Sequence, residues 1–369
     1  MKKNYFILIG LILGLFFFFS SCEKDEDIPK QDESILPASF MVDIPNAISQ
    51  SQSTQKSATV DTLRGNQIYK HLTTFIHVGE GAAEVVEDIM TAIAVHKINK
   101  PMSFSYESND DHRVKNLEVV ANSSFDGSTW EFQLTITDAD SEQNADGGKA
   151  IQIFWNRNPV DGIAILKPYN IDREHDGDAG DAMFRIDYSE TGDRGYDAHM
   201  LVWIAGLPLD NALDNPYSMS TLKMFAGKKG DIIDVYGNSD HPNAIFFAGN
   251  SGFNWAFVAS GMKDLDIGVA EVGLPPSNLD EPSRSVLLEY YSIKNVFTRE
   301  IYDVWPYIDS TAVAAYLYNT DAPGYFDNYG FVSGGTSPGS EYDEIESRLP
   351  NMSPYNPKEI SNLTIVFKD

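Results

Sequence analysis

Between residues 102 and 272 hydrophobic positions recur in short runs separated by turn-forming residues. The runs are Leu117 to Ala121, Trp130 to Thr137, Ala150 to Trp155, Gly162 to Lys167, Met183 to Tyr188 and His199 to Ala205. Thr221 to Ala226, Asp231 to Tyr236, Ala244 to Phe247, Asn254 to Ala259 and Asp266 to Val272 continue the series. In Trp130-Glu131-Phe132-Gln133-Leu134-Thr135-Ile136-Thr137 the apolar members share one face, the period of a half-buried strand. Asp126-Gly127, Asp146-Gly147-Gly148, Asn158-Pro159, Asp161-Gly162, Gly192-Asp193, Lys229-Gly230 and His241-Pro242 supply turns between the runs. Connections this short hold no crossover helix, so neighbouring strands are antiparallel. The expectation is a large meander with one face buried and one wet.

The period changes on either side of that region. Ile68, Leu72, Phe75 and Ile76 fall at helical spacing, as do Ala82, Val85, Val86, Ile89 and Ile93. The intervening Gly79-Glu80-Gly81 predicts two helices with a break between them. Phe40, Val42 and Ile44 alternate up to Pro45 and predict a short strand, and residues 46–61 predict a polar loop. Late in the chain, Val286 to Phe297 fits helix or strand, and Ser310 to Tyr318 predicts a helix capped by Asp309 or Ser310. Residues 320–360, rich in Gly, Pro, Asn and Tyr, predict long loops. Asn362 to Phe367 predicts a final strand that joins the main sheet, beside Phe40 to Ile44.

The expected fold is therefore α+β and β-dominated. A large curved antiparallel meander, half-barrel-like, carries an N-terminal helical segment packed on it and a loop-rich C-terminal part. In order of elements alone it resembles the half-barrel carriers that bind lipoprotein acyl chains, which implies an apolar cavity. A sheet whose concave face is simply filled by the helices fits the same order. The expected organisation is a leader over 1–21, an acidic tether over 22–37 and a single β-rich domain over 38–369.

Composition narrows the function classes. Hydrophobic residues make up 42% of the 369 residues and aromatics 12%, enough for a large core. The 27 basic and 54 acidic residues give a formal charge of −27, which repels phosphate backbones and excludes nucleic acid as an expected partner. After residue 22 no apolar run approaches membrane-spanning length.

The first 22 residues carry an address. Lys2 and Lys3 precede an apolar run from Tyr5 to Phe19, too short for a bilayer span, and Ser20-Ser21-Cys22 closes it. Cys22 is the only cysteine in the chain, so no disulfide framework accounts for it. Phe19-Ser20-Ser21-Cys22 resembles the cleavage box of bacterial lipoproteins, in the serine-rich form found in Bacteroidota. It departs from the usual pattern at Phe19 and Ser21. The resemblance implies lipidation of Cys22 by diacylglyceride and acyl chains (palmitate among them), and anchoring in the outer membrane. Glu23-Lys24-Asp25-Glu26-Asp27 is similar to the acidic signal that exports such lipoproteins to the cell surface, and it also reads as a solvated tether.

Candidate chemistry is sparse. Asp172, Asp176, Asp178 and Asp181 crowd a glycine-containing loop whose oxygens could take a structural calcium ion; no cofactor is otherwise expected. Asp138, Asp140, Glu142 and Asp146 form a second acidic cluster. In a chain this acidic, solvated hairpin tips are the better reading of both clusters. Gly335-Thr336-Ser337-Pro338-Gly339 matches a nucleophile elbow, but no histidine follows residue 241, so a Gly/Ser/Pro loop is the better reading. The seven histidines show no zinc spacing. Aromatics gather late, at Tyr290, Tyr291, Trp305, Tyr307, Tyr316, Tyr318, Tyr325, Phe326 and Tyr329. Core and loop packing is the first reading of these rings; the alternative is a sugar-stacking platform, with Tyr325, Phe326 and Tyr329 as its ligand-binding residues.

These signs point to a non-enzymatic cell-envelope lipoprotein, without assigned catalytic residues, that binds a ligand or serves an envelope assembly. The expected partners are the membrane through the lipid, a hydrophobic small molecule or a glycan, and an outer-membrane protein. A surface protein that binds glycans, or hydrolyses them with carboxylates, is the alternative.

Overall fold

The computed structural model describes residues 35–37, 39–50, 65–94, 98–174, 180–210, 217–245 and 251–368. The fold is β-dominated: an open antiparallel meander of thirteen strands in sequence order, with a long N-terminal helix and short helices near the C-terminus. Its residues divide into two compact units, each described in turn. Unit 1 comprises residues 1–41, 81–208 and 364–369; unit 2 comprises 42–80 and 209–363.

Unit 1 holds strands β1 (Met102–Glu107), β2 (Val114–Phe125), β3 (Ser128–Asp138), β4 (Lys149–Arg157), β5 (Val160–Leu166), β6 (Met183–Ser189) and β7 (Ala198–Ala205). Each pairs antiparallel with its neighbour in sequence. The registers place Leu134, Ile153, Ala164, Ile186 and Val202 in one row across β3 to β7, and all are buried. The other face is not wet. Phe154, Ile163 and Ile165 form a second core there with Trp130, Phe125 and Met183, covered by Ile365 and Phe367 of the C-terminal tail. That explains why β4 and β5 read as nearly continuous apolar runs rather than clean alternation.

Residues 362–367 were expected as a sheet strand, but the tail crosses the face instead of joining an edge. Its backbone meets side chains: Lys368 N–H donates to Gln152 Oε1 (2.8 Å) and Lys149 Nζ donates to the Lys368 carbonyl (2.5 Å). Period-2 alternation marks a half-buried extended segment, and says nothing of what its backbone bonds to. The expected strand at Phe40 to Ile44 is corrected for the same reason. Phe40 N–H donates to Glu87 Oε1 (2.8 Å), a helix side chain, and the Phe40 ring lies over Gly162 and stacks on Tyr188 at 5.7 Å. Gly162, read both as part of a turn with Asp161 and as the start of a strand, sits inside β5, where an added Cβ would meet Phe40 at 2.7 Å.

Unit 2 holds β8 (Thr221–Lys229), β9 (Ile232–Ile245), β10 (Ser251–Met262), β11 (Ile267–Gly273), β12 (Gly324–Asp327) and β13 (Gly330–Gly334). The β12–β13 hairpin falls where long loops were expected, and β9 runs through His241-Pro242, where a turn was expected, because Asp240 and His241 stay paired to Asn254 and Phe253 of β10. One face carries Leu222, Met224, Trp255 and Phe257; the other belongs to a cluster of Val258, Val269, Leu287, Leu288, Tyr342, Ile345 and Leu349. Here too both faces are covered.

Helix α1 (Gly65–Ala94) contributes to both units, and it is continuous where a break was expected. Gly79 is a contact glycine: a Cβ there would lie 2.6 Å from Met224 Cε and 3.1 Å from Leu222 Cδ2. The residue lets helix and sheet approach closely; it does not end the helix. Glu80 then accepts from Ile44 N–H (2.6 Å) and Ser49 Oγ, tying the segment before the helix to unit 2.

Candidate functional site

Three exposed aromatic side chains of unit 2, Tyr302, Trp305 and Tyr307, lie at the end of helix α2 (Ile293–Val304). Its inner face is set by Ile293, Val296, Phe297 and Ile301, all buried at helical spacing. The helix stops at Trp305, whose N–H still donates to the Ile301 carbonyl (2.8 Å). Pro306 follows, and a turn closes as Ile308 N–H donates to the Trp305 carbonyl (3.1 Å). Helix α3 (Ser310–Tyr316) starts immediately, capped by Asp309, which accepts from Thr311 N–H (2.8 Å) and Ala312 N–H (3.3 Å). Those backbone bonds hold the Asp309 carboxyl below its usual range.

Every residue from Tyr302 to Tyr307 is exposed as a result. Trp305 is 49% exposed and Tyr307 98%, flanked by Asp303 and Val304. We call this run the crest. Tyr318 and Tyr329 are further exposed rings, whereas Tyr290 has one face against the Arg299 guanidinium at 4.5 Å.

The alternative platform at Tyr325, Phe326 and Tyr329 is corrected by burial. Tyr325 and Phe326 are neighbours on β12 and point to opposite faces, each into a core. Tyr325 packs edge-on to Tyr342 and donates its hydroxyl to Glu346 Oε2 (2.8 Å); Phe326 is enclosed by Tyr69 and Phe331. Tyr329 alone of the three is exposed. Trp305 and Tyr307 stood in the same late aromatic group, but nothing in their own residues separated them from buried rings.

Of the candidate calcium ligands, Asp176 and Asp178 lie outside the described residues, while Asp172 accepts from Glu174 N–H (2.9 Å). Asp181 is placed at the start of the turn before β6. Among the described residues no group of three or more His, Cys, Asp or Glu is arranged to hold a metal ion. The second acidic cluster is tied to cations. Buried Asp138 accepts from Arg113 Nε and Nη2 (both 2.6 Å) and from Lys115 Nζ (2.9 Å), and Asp146 accepts from Lys167 Nζ (2.6 Å). Burial opposes ionisation of Asp138, but these charged donors outweigh it and hold the carboxyl well below its usual range. Lys115, itself buried, also donates to Asp111 (2.7 Å).

Two arrangements imitate catalytic groups. Asp161 and Asp187 are diagonal neighbours on one face, since Ile163 opposes Asp187 and Asp161 opposes Ser189. Burial pushes Asp187 up to about 6. Yet both its oxygens accept from Arg185, at 2.8 and 2.9 Å, so neither is free to deliver a proton to a glycosidic oxygen. In unit 2, Ser239 Oγ lies 2.7 Å from His241 Nε2, and His241 Nδ1 lies 2.9 Å from the Tyr217 carbonyl. With Nδ1–H donating to that carbonyl, Nε2 accepts the serine proton. Both residues are fully buried beneath Phe75, Phe253 and Trp255, and burial lowers His241 to about 3. Such an imidazole is a poor base at neutral pH, and the pair is a core hydrogen bond. Ser337 of the elbow-like loop donates to the Gly339 carbonyl (2.9 Å).

No protein-family model matches the chain, and neither curated proteins nor solved structures gave a match. Among the described residues no helix is long and apolar enough to cross a membrane.

Proposed function

We propose that the chain is a cell-envelope lipoprotein that binds its ligand without catalysis, at its surface rather than in an internal cavity. Lipid on Cys22 holds it in the outer membrane, and the acidic residues that follow favour display at the cell surface. The observation that supports surface binding most directly is the filling of each unit's helix-side sheet face. In unit 2 a Cβ at Gly324 would meet the Tyr69 ring at 2.6 Å, and Ile48 lies against the backbone of Gly268. In unit 1 the Phe40 ring occupies the equivalent space over Gly162. At these positions the acyl-chain cavity of a half-barrel carrier is occupied by the protein's own side chains.

Metabolic labelling with an alkyne-tagged fatty acid tests the anchor: label on the full chain and none on Cys22→Ser is expected. Label on the serine variant, or none on the natural chain, refutes it. Native mass spectrometry after purification tests surface binding, because a stoichiometric apolar adduct released by solvent would overturn it. The hydrolase alternative gains nothing from Asp161 and Asp187, given the Arg185 clamp.

A further inference from the structure

We infer that the crest from Tyr302 to Tyr307 is a binding site for an uncharged polysaccharide chain. The inference rests on the surface-binding reading and adds the place and the ligand class. Tyr302 and Trp305 each leave part of a ring in water and Tyr307 leaves nearly all of its ring there, and a cluster of this kind marks an interaction surface more often than scattered apolar residues do. The backbone that carries the rings is also held. Trp305 N–H and the Trp305 carbonyl are both bonded into the helix end and the following turn, Pro306 stiffens the step between the rings, and the Asp309 cap fixes the exit. Tyrosine and tryptophan have only two side-chain torsions to immobilise, so a held pair loses little entropy on binding.

The chemistry of the crest selects the ligand. Sugar rings present C–H faces that pack on aromatic faces, while their hydroxyls donate to carboxylates such as the exposed Asp303. The formal charge of −27 repels acidic polymers, and the nearest basic groups are engaged: Arg299 lies on Tyr290, and Lys294 Nζ is 2.6 Å from Asp321. An anionic glycan therefore meets no free cation from α2, and an uncharged one meets no repulsion. A protein interface fits less well. Interface cores are depleted in charge, whereas this run carries Asp303 among its rings and Val304 as its sole aliphatic.

The test is native affinity electrophoresis of the full chain carrying Cys22→Ala, so that no lipid interferes. The gels contain laminarin, pullulan, galactomannan or hydroxyethyl cellulose, with dextran sulfate as the anionic comparison. Retardation by at least one uncharged polymer and none by dextran sulfate is expected. Trp305→Ala and Tyr307→Ala should each weaken that retardation about tenfold, the weight of one aromatic anchor. Both residues are exposed, so unchanged circular dichroism is expected to show that the fold persists. No retardation by any uncharged polymer, or equal retardation of a Trp305→Ala, Tyr307→Ala double variant, overturns the inference. Sedimentation with phosphatidylcholine vesicles that depends on Trp305 also overturns it, by making the crest a headgroup contact. Retardation that survives the double variant leaves surface binding standing and removes only the crest. A solvent-released adduct removes surface binding itself.

Discussion

His241 should make unit 2 sensitive to mild acid. Its ordinary value near 6.5 is lowered to about 3 by burial, with a further push from nearby His71, itself lowered to about 4. Between those limits the unfolded chain binds a proton that the folded chain excludes. The contribution to stability is therefore complete above pH 6.5 and is lost progressively as pH falls towards 3. The slope is about 1.4 kcal/mol per pH unit for one proton, so His241 alone removes about 2 kcal/mol between pH 7 and pH 5. His71 titrates in the same window and adds to the slope. Replacing His241 with Phe keeps a ring against Phe75 and Trp255 but strands Ser239 Oγ and the Tyr217 carbonyl. Each stranded group costs about 1–3 kcal/mol, so the variant is less stable at pH 7. It is also less sensitive to acid. Urea unfolding of both proteins at pH 7, 6 and 5 should show the gap between them narrowing by about 2 kcal/mol. A gap that stays constant over that range would refute the reasoning, whatever its size at neutral pH.

Other outcomes follow from packing and charge. Lys115→Met leaves Asp111 and Asp138 facing each other without their shared cation and should destabilise unit 1 by about 3 kcal/mol or more in urea unfolding. Because the Asp138 value is depressed in the folded state, that deficit should shrink as pH falls below the carboxylate range. Gly324→Ala drives a methyl into the rigid Tyr69 ring and should cost about 1–3 kcal/mol. Gly79→Ala meets the flexible side-chain ends of Met224 and Leu222, and the gain in helix propensity, up to about 1 kcal/mol, offsets their displacement, so its thermal midpoint should hardly move. Tyr325→Ala should lower stability by about 3–5 kcal/mol, whereas Tyr307→Ala should stay within about 0.5 kcal/mol of the natural protein by the same unfolding assay.

The sequence by itself determined the class of fold and most of its elements. Period-2 runs such as Trp130 to Thr137, separated by turns such as Asp126-Gly127, leave no room for anything but antiparallel neighbours. Asp309 and Ser310 before an apolar helical repeat marked the start of α3, and the structure uses Asp309 as the cap, a bond between residues two or three apart. These are local relations, and local relations are written in the order of residues. What bonds or covers a segment is not local. Phe40 to Ile44 and Leu363 to Phe367 alternate like strands, yet Glu87 and Glu80 receive the backbone of the first, and β4 side chains bond the backbone of Lys368 just after the second. Gly79 looks like a helix break until Met224, far along the chain, is seen to need the space. The acids near Asp138 look like a cation site until Arg113, Lys115 and Lys167 arrive from other elements to neutralise them. Tyr325 and Tyr307 are the same residue type in the same stretch of sequence. Only the pairing of β12 and the layer of residues 285–352 on the sheet buries one, and only the end of α2 lifts the other into water.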